Sequence, residues 1–132
     1  MKITVDTNVL IRAVVRDDKK QAMAADKILK GAEIIAVTLP CLCEFVWVLR
    51  RLYEFDRSDI VTAIRALADT ANVSVNRPAV EVGLTVLTAG GDFADGIIAY
   101  EGSWLGAETF ASFDRKAVTL LSKLGYETRL LS

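Results

Sequence analysis

Short runs of β-branched residues alternate along this chain with segments of helical periodicity, a pattern that predicts an α/β protein built on a parallel sheet. Residues 2–5 read as a first strand that closes at Asp6-Thr7-Asn8. A short helix over 9–15 follows, then a second over 19–30 with Ala22, Ala25, Ile28 and Leu29 on one face and Gly31 as its stop. Residues 34–37 form the second strand. The helix over 40–53 has a proline in its first turn and is apolar nearly all round, the pattern of a buried helix. Residues 58–70 are amphipathic through Ile60, Val61, Ile64, Leu67 and Ala68. Beyond them come a short strand at 73–75, a helix over 78–89 broken by Gly90-Gly91, and a helix over 92–104. A fourth strand at 109–112, a last helix over 115–123 capped by Gly125, and an edge strand at 127–131 complete the pattern. No repeat, linker or low-complexity stretch interrupts it, so residues 1–132 are expected to form a single domain.

Composition narrows the chemistry. The chain has 132 residues and no histidine. That excludes a Ser-His-Asp triad, an HExxH zinc site and any imidazole base or ligand. Acid–base or metal chemistry must therefore use carboxylates. The longest nearly uncharged run, residues 34–49, contains Glu44 and is too short to span a bilayer. Asp6 and Arg12 interrupt any secretory signal. Cys41 and Cys43 have a spacing that suits neither a redox pair nor a zinc knuckle, so they read as reduced core residues of a cytoplasmic protein.

The net charge of −1 hides an uneven distribution. Residues 1–30 carry seven basic groups against four acids. Residues 78–114 carry six acids and no Lys or Arg, an arrangement that suits a polyanion handled through metal ions, although composition alone favours an ordinary solvated surface.

Four acids stand out by position. Asp6 sits where the first strand turns into a helix, the end of an open α/β sheet at which ligands bind; it is also a natural helix cap. Asp114 repeats that position after the fourth strand. Glu44 has Pro40, Cys41, Trp47 and Val48 as its helical neighbours, so it is expected to be buried and to neutralise, bind a metal or pair with a base such as Arg12 or Arg51. Asp92 and Asp95 open a helix in the manner of a capping box, and Gly96 beside Asp95 admits a close backbone approach. One sheet edge can gather these carboxylates, and hard oxygen donors select Mg²⁺ or Mn²⁺. Metals held in this way clamp a phosphodiester and activate water without histidine.

The strings VDTNVLIR (5–12), LPCLCEFVWVL (39–49), DFADGIIAY (92–100) and ASFDRKA (111–117) together resemble the PIN-domain ribonucleases, and in length and motif order the VapC toxins of bacterial toxin–antitoxin pairs. The resemblance implies a PIN-like α/β/α sandwich, with a central parallel sheet of four or five strands and helices on both faces. It also implies that Asp6, Glu44, Asp95 and Asp114 are the metal-binding and catalytic acids. Thr7 and Ser112 are then the hydroxyls that orient carboxylates and water, and Asp92 an additional acid behind them. The implied activity is Mg²⁺- or Mn²⁺-dependent endonucleolytic hydrolysis of RNA by an activated water. The implied partners are a second copy of the chain and a small VapB-like antitoxin whose C-terminal segment, often through an Arg, enters the acidic groove. Gly96 where Ala is usual, Ser112 where Thr is more common, and Ala117 where some members carry an acid are departures that remove no core ligand.

Arg12, Arg16, Lys19, Lys20, Arg115 and Lys116 flank these motifs and are candidates for phosphate contact, although a solvated helix face explains each equally well. Trp47 and Trp104 are expected in the core rather than stacked on bases. A phospho-acceptor receiver domain, which wants an acidic pair after its first strand and a Lys after its last, fits poorly. A haloacid-dehalogenase-like phosphatase needs DxD where this chain has Asp6-Thr7-Asn8. A catalytically silent PIN-fold module that only binds RNA or a partner is the remaining alternative.

Overall fold

Every strand pairing in the protein is parallel. The computed structural model describes residues 1–132 as seven helices and five strands in two units, residues 1–76 and 77–132. The mixed α/β class and the order of its elements are those the sequence predicts.

The first unit contains β1 (Lys2–Thr4), α1 (Thr7–Val15), α2 (Lys19–Gly31), β2 (Ile34–Ala36), α3 (Leu39–Arg51), α4 (Arg57–Ala68) and β3 (Val73–Ser74). Its strands bond in the order β1-β2-β3, with Ile3 opposite Ile35 and Ile35 opposite Val73. The central position of β2 buries Ile35, as expected of a parallel strand covered by crossover helices. The Asn72 amide donates to the carbonyls of Leu29 and Ala32, both at 3.0 Å, and so ties the end of α2 to the chain entering β3. Helix α1 packs against α2 and α3.

The second unit contains α5 (Arg77–Thr88), α6 (Phe93–Trp104), β4 (Thr109–Ser112), α7 (Arg115–Lys123) and β5 (Glu127–Leu130). β4 and β5 form a two-stranded ladder from Thr109–Glu127 to Ser112–Leu130. Val86, Ala99 and Leu121 make a buried cluster against which Phe110, Leu120 and Tyr126 pack. Helices α5 and α6 meet at glycines. A Cβ on Gly96 would lie 2.8 Å from the Gly83 Cα and 2.9 Å from the Val82 carbonyl oxygen. The close approach expected beside Asp95 is therefore made by the backbone of α5.

Four expectations change. The strands bond as one ladder of three and one of two, not as a single sheet of four or five. Helix α3 is not buried all round: Leu39, Leu42, Phe45, Val46 and Leu49 face inward, while Pro40, Glu44, Trp47 and Arg51 lie along its exposed edge. These four fall at i, i+4, i+7 and i+11, one stripe of a helix, so the single charge at 44 marks the edge. Trp47 and Trp104 are 53% and 76% exposed rather than core residues. Gly31 ends α2 from within its last turn, and Ala32 is the capping residue. No helix is long and apolar enough to cross a membrane.

Candidate functional site

In the first unit, Asp6 follows β1 and caps α1. Its Oδ1 accepts the Val9 backbone N–H at 3.2 Å. The cap uses one carboxylate oxygen. The other is left for a second role, so the capping and functional readings of Asp6 are compatible. Thr7, the first residue of α1, donates its hydroxyl to the Cys41 thiol at 3.9 Å, across 34 residues of sequence. Cys41 is buried one turn before Glu44 on α3. Burial foremost, and then the charges of Asp6 and Glu44, push its thiol above the usual range, while the Thr7 hydroxyl opposes the rise. The thiol therefore feels the charge of both acids. Sequence reasoning took Cys41 only as a core residue; its place three residues before Glu44 was the available signal. Glu44 is exposed and has no basic partner, and Arg12, once a candidate for that role, pairs with Asp17 instead.

In the second unit, Ser112 closes β4 and its hydroxyl accepts the Asp114 backbone N–H at 2.9 Å. That bond fixes the turn carrying Asp114, so the residue expected to orient a carboxylate does so through the main chain. Asp114 Oδ1 accepts the N–H groups of Lys116 at 2.9 Å and Ala117 at 3.2 Å, capping α7. Asp92 stands at the cap of α6 but makes no side-chain capping bond; its carbonyl accepts the Asp95 N–H at 3.1 Å. Asp95 is half-buried in the first turn. Burial, then the charges of Asp92 and Asp114, hold its carboxyl above the usual carboxylate range. These three acids thus share one electrostatic environment, and the charges that Asp95 feels are negative.

No three acidic, Cys or His side chains stand close enough together to form a ready-made metal cage. The first unit supplies the pair Asp6 and Glu44, and the second the trio Asp92, Asp95 and Asp114. Like charges repel, and largely exposed carboxylates stay apart in water, so tight convergence is not expected of the side chains alone. The donor chemistry nonetheless fits a hard divalent cation, because every candidate ligand is a carboxylate oxygen and the uncompensated charge is negative.

The basic candidates divide. Arg12 Nη1 donates to Asp17 Oδ1 at 2.7 Å, and Asp17 also accepts the Tyr53 hydroxyl at 3.2 Å. Arg16 holds Asp26 with two nitrogens, at 3.0 and 2.9 Å. Both arginines are therefore engaged within the chain. Arg115 and Lys116 are exposed and form no ion pair, and the Lys116 side chain passes near Gly90. A groove of about 390 Å³ runs between α1 and α2, lined by Asp6 and Arg12 on one side and by Gln21, Ala24, Ala25 and Ile28 on the other.

Parallel strands with carboxylates at their carboxyl ends, and no histidine anywhere, define an α/β protein in which any acid–base or metal chemistry falls to acids. The chain belongs to the PIN-domain family, whose model matches residues 3–118 and so runs through both units. PIN domains are generally a metal-dependent nuclease fold. No curated protein matches the chain.

Proposed function

We propose that residues 1–132 form a single PIN domain acting as a toxin-type endoribonuclease of the VapC kind, with Asp6, Glu44, Asp95 and Asp114 as its metal-binding and catalytic acids. The observation that carries this reading is an arrangement found in both units: a parallel strand, an aspartate at its carboxyl end, and a helix which that aspartate caps with only one oxygen. Capping locks the carboxylate in place and leaves its second oxygen for a cation. A bound Mg²⁺ or Mn²⁺ supplies Lewis-acid polarisation of the phosphodiester and a more acidic water. The chain supplies the rest. Thr7 and Ser112 hold the turns that carry Asp6 and Asp114. Asp92 adds negative charge beside Asp95 and favours retention of a cation there. A small antitoxin protein and a second copy of the chain are the partners this reading implies.

The test is cleavage of a pool of single-stranded and transfer RNAs by purified protein freed of any partner, with Mg²⁺, with Mn²⁺ and with EDTA. Wild type is compared with Asp6→Asn, in which the amide retains the cap and loses the charge. Metal-dependent cleavage that disappears in the variant supports the reading. Mn²⁺ binding without cleavage of any RNA favours the silent module, and absence of both leaves Asp6 and Asp114 as caps alone.

A further inference from the structure

Helix α2 spans 13 residues and contains four lysines and a single acid. Taken at 100° per residue, Lys19, Lys30, Met23, Lys27 and Lys20 fall on one stripe about a quarter-turn wide. All four lysines are exposed, as is Met23 at 62%. The one acid within the helix, Asp26, lies beyond the edge of this stripe and is already held by both nitrogens of Arg16. None of the four lysines forms an ion pair, so the stripe retains its positive charge. Like charges so close together on one helix face weaken the helix slightly, and the charge of Asp26, one turn before Lys30, opposes this at that end of the stripe.

The stripe has a defined neighbour. Continuing round the helix past Gly31 come Ala24, Ile28, Gln21 and Ala25, the residues that form the α2 wall of the groove whose opposite wall includes Asp6. A ligand lying along the lysines therefore runs parallel to that groove, separated from it only by the side of one helix. Lys19 to Lys30 covers roughly 16 Å of helix axis, enough to face several consecutive phosphates. Arg12 and Arg16, the basic groups nearer Asp6 in sequence, are neutralised by Asp17 and Asp26, which leaves α2 as the free positive element beside the groove.

We propose that the Lys19, Lys20, Lys27 and Lys30 face of α2 is a docking track for the phosphate backbone of single-stranded RNA, alongside the groove that contains Asp6. This inference rests on the nuclease reading. The lysines contact phosphate and not bases, so the track contributes affinity without sequence preference. Its contribution is equal in the ground and transition states, so it sets KM and leaves kcat unchanged.

The experiment measures binding of a fluorescein-labelled single-stranded RNA in EDTA over a range of KCl concentrations, alongside steady-state cleavage in Mn²⁺. A variant with Lys20→Gln, Lys27→Gln and Lys30→Gln is compared with a control triple, Lys2→Gln, Lys123→Gln and Arg129→Gln. Glutamine keeps helix propensity close to that of lysine, so α2 persists, and circular dichroism checks it. The α2 triple is expected to reduce the slope of log K against log salt by about 2, at about 0.7 per single-strand phosphate contact, and to raise KM at constant kcat. The control triple is expected to change both far less. An unchanged slope in the α2 triple, or an equal loss in both triples, overturns the track. If wild type neither binds nor cleaves RNA, the nuclease reading falls first and the track with it, an outcome already visible before any lysine is changed.

Discussion

The Cα of Gly83 on α5 lies 2.8 Å from where a Cβ on Gly96 of α6 would stand. Two helices that approach this closely do so because both residues lack side chains. The contact fixes the first turn of α6, and with it Asp95, against the backbone of its neighbour.

Gly96→Ala therefore forces backbone against side chain, with the Val82 carbonyl also only 2.9 Å away. Backbone gives way less readily than a side-chain tip, so the expected loss is about 1–3 kcal/mol of stability. Urea unfolding measures it. An unchanged midpoint shows that α5 and α6 slide apart at little cost.

Asp95→Asn is expected to stabilise the fold at neutral pH while abolishing activity. Its carboxyl is held above the usual range by burial and by Asp92 and Asp114, so the charged form destabilises the folded state wherever the unfolded chain would be ionised. Removing the charge lifts that penalty. Thermal melts show whether the midpoint rises, and adding Mn²⁺ is expected to raise the midpoint of wild type but not of the variant. Cleavage is expected to fall at least ~100-fold, since even groups behind a metal ligand cost 10–100-fold when removed.

The Arg16–Asp26 pair predicts an acid limb to stability. The Arg16 hydrogen bonds foremost, and its charge, hold Asp26 below its ordinary value of 3.8. A carboxylate lowered in the folded state contributes stability above its unfolded pKa and loses it as pH falls through the folded value. In Asp26→Asn that contribution is absent at every pH, so urea midpoints of wild type and variant are expected to converge as the solution is acidified below that range.

Cys41 is expected to alkylate more slowly than Cys43 at neutral pH. Its thiol is buried and is pushed up by that burial and by Asp6 and Glu44, whereas Cys43 is only half-buried. Mass spectrometry of iodoacetamide-treated protein separates the two sites. Thr7→Val removes the hydroxyl that reaches Cys41 while keeping side-chain shape. It is expected to cost about 0.5 kcal/mol, at the weak end for a hydrogen bond, with a larger effect on cleavage through the turn that carries Asp6.

The order of elements was legible because each strand and helix here announces itself locally, through β-branched runs, caps and glycine stops. The positions of Asp6 and Asp114 were legible for the same reason, since a strand end followed by a cap is a local pattern. The surroundings of Glu44 were not. Its neighbours on α3 are apolar, and only the packed structure shows that Pro40, Trp47 and Arg51 line the same exposed edge. The engagement of Arg12 with Asp17 and Tyr53 also escaped sequence reading, because Tyr53 lies 36 residues from Asp17. The Gly96 approach was anticipated as a need for space, but its occupant, the α5 backbone, required a long-range contact.

The acids of this chain do not all answer to the same selective force. Asp6 and Asp114 cap helices, so folding alone favours an acid at both positions. Glu44 is exposed, caps nothing and pairs with nothing, so folding alone would let it drift to any polar residue. An acid at position 44 is therefore held by no contact within the fold, whereas those at positions 6 and 114 are.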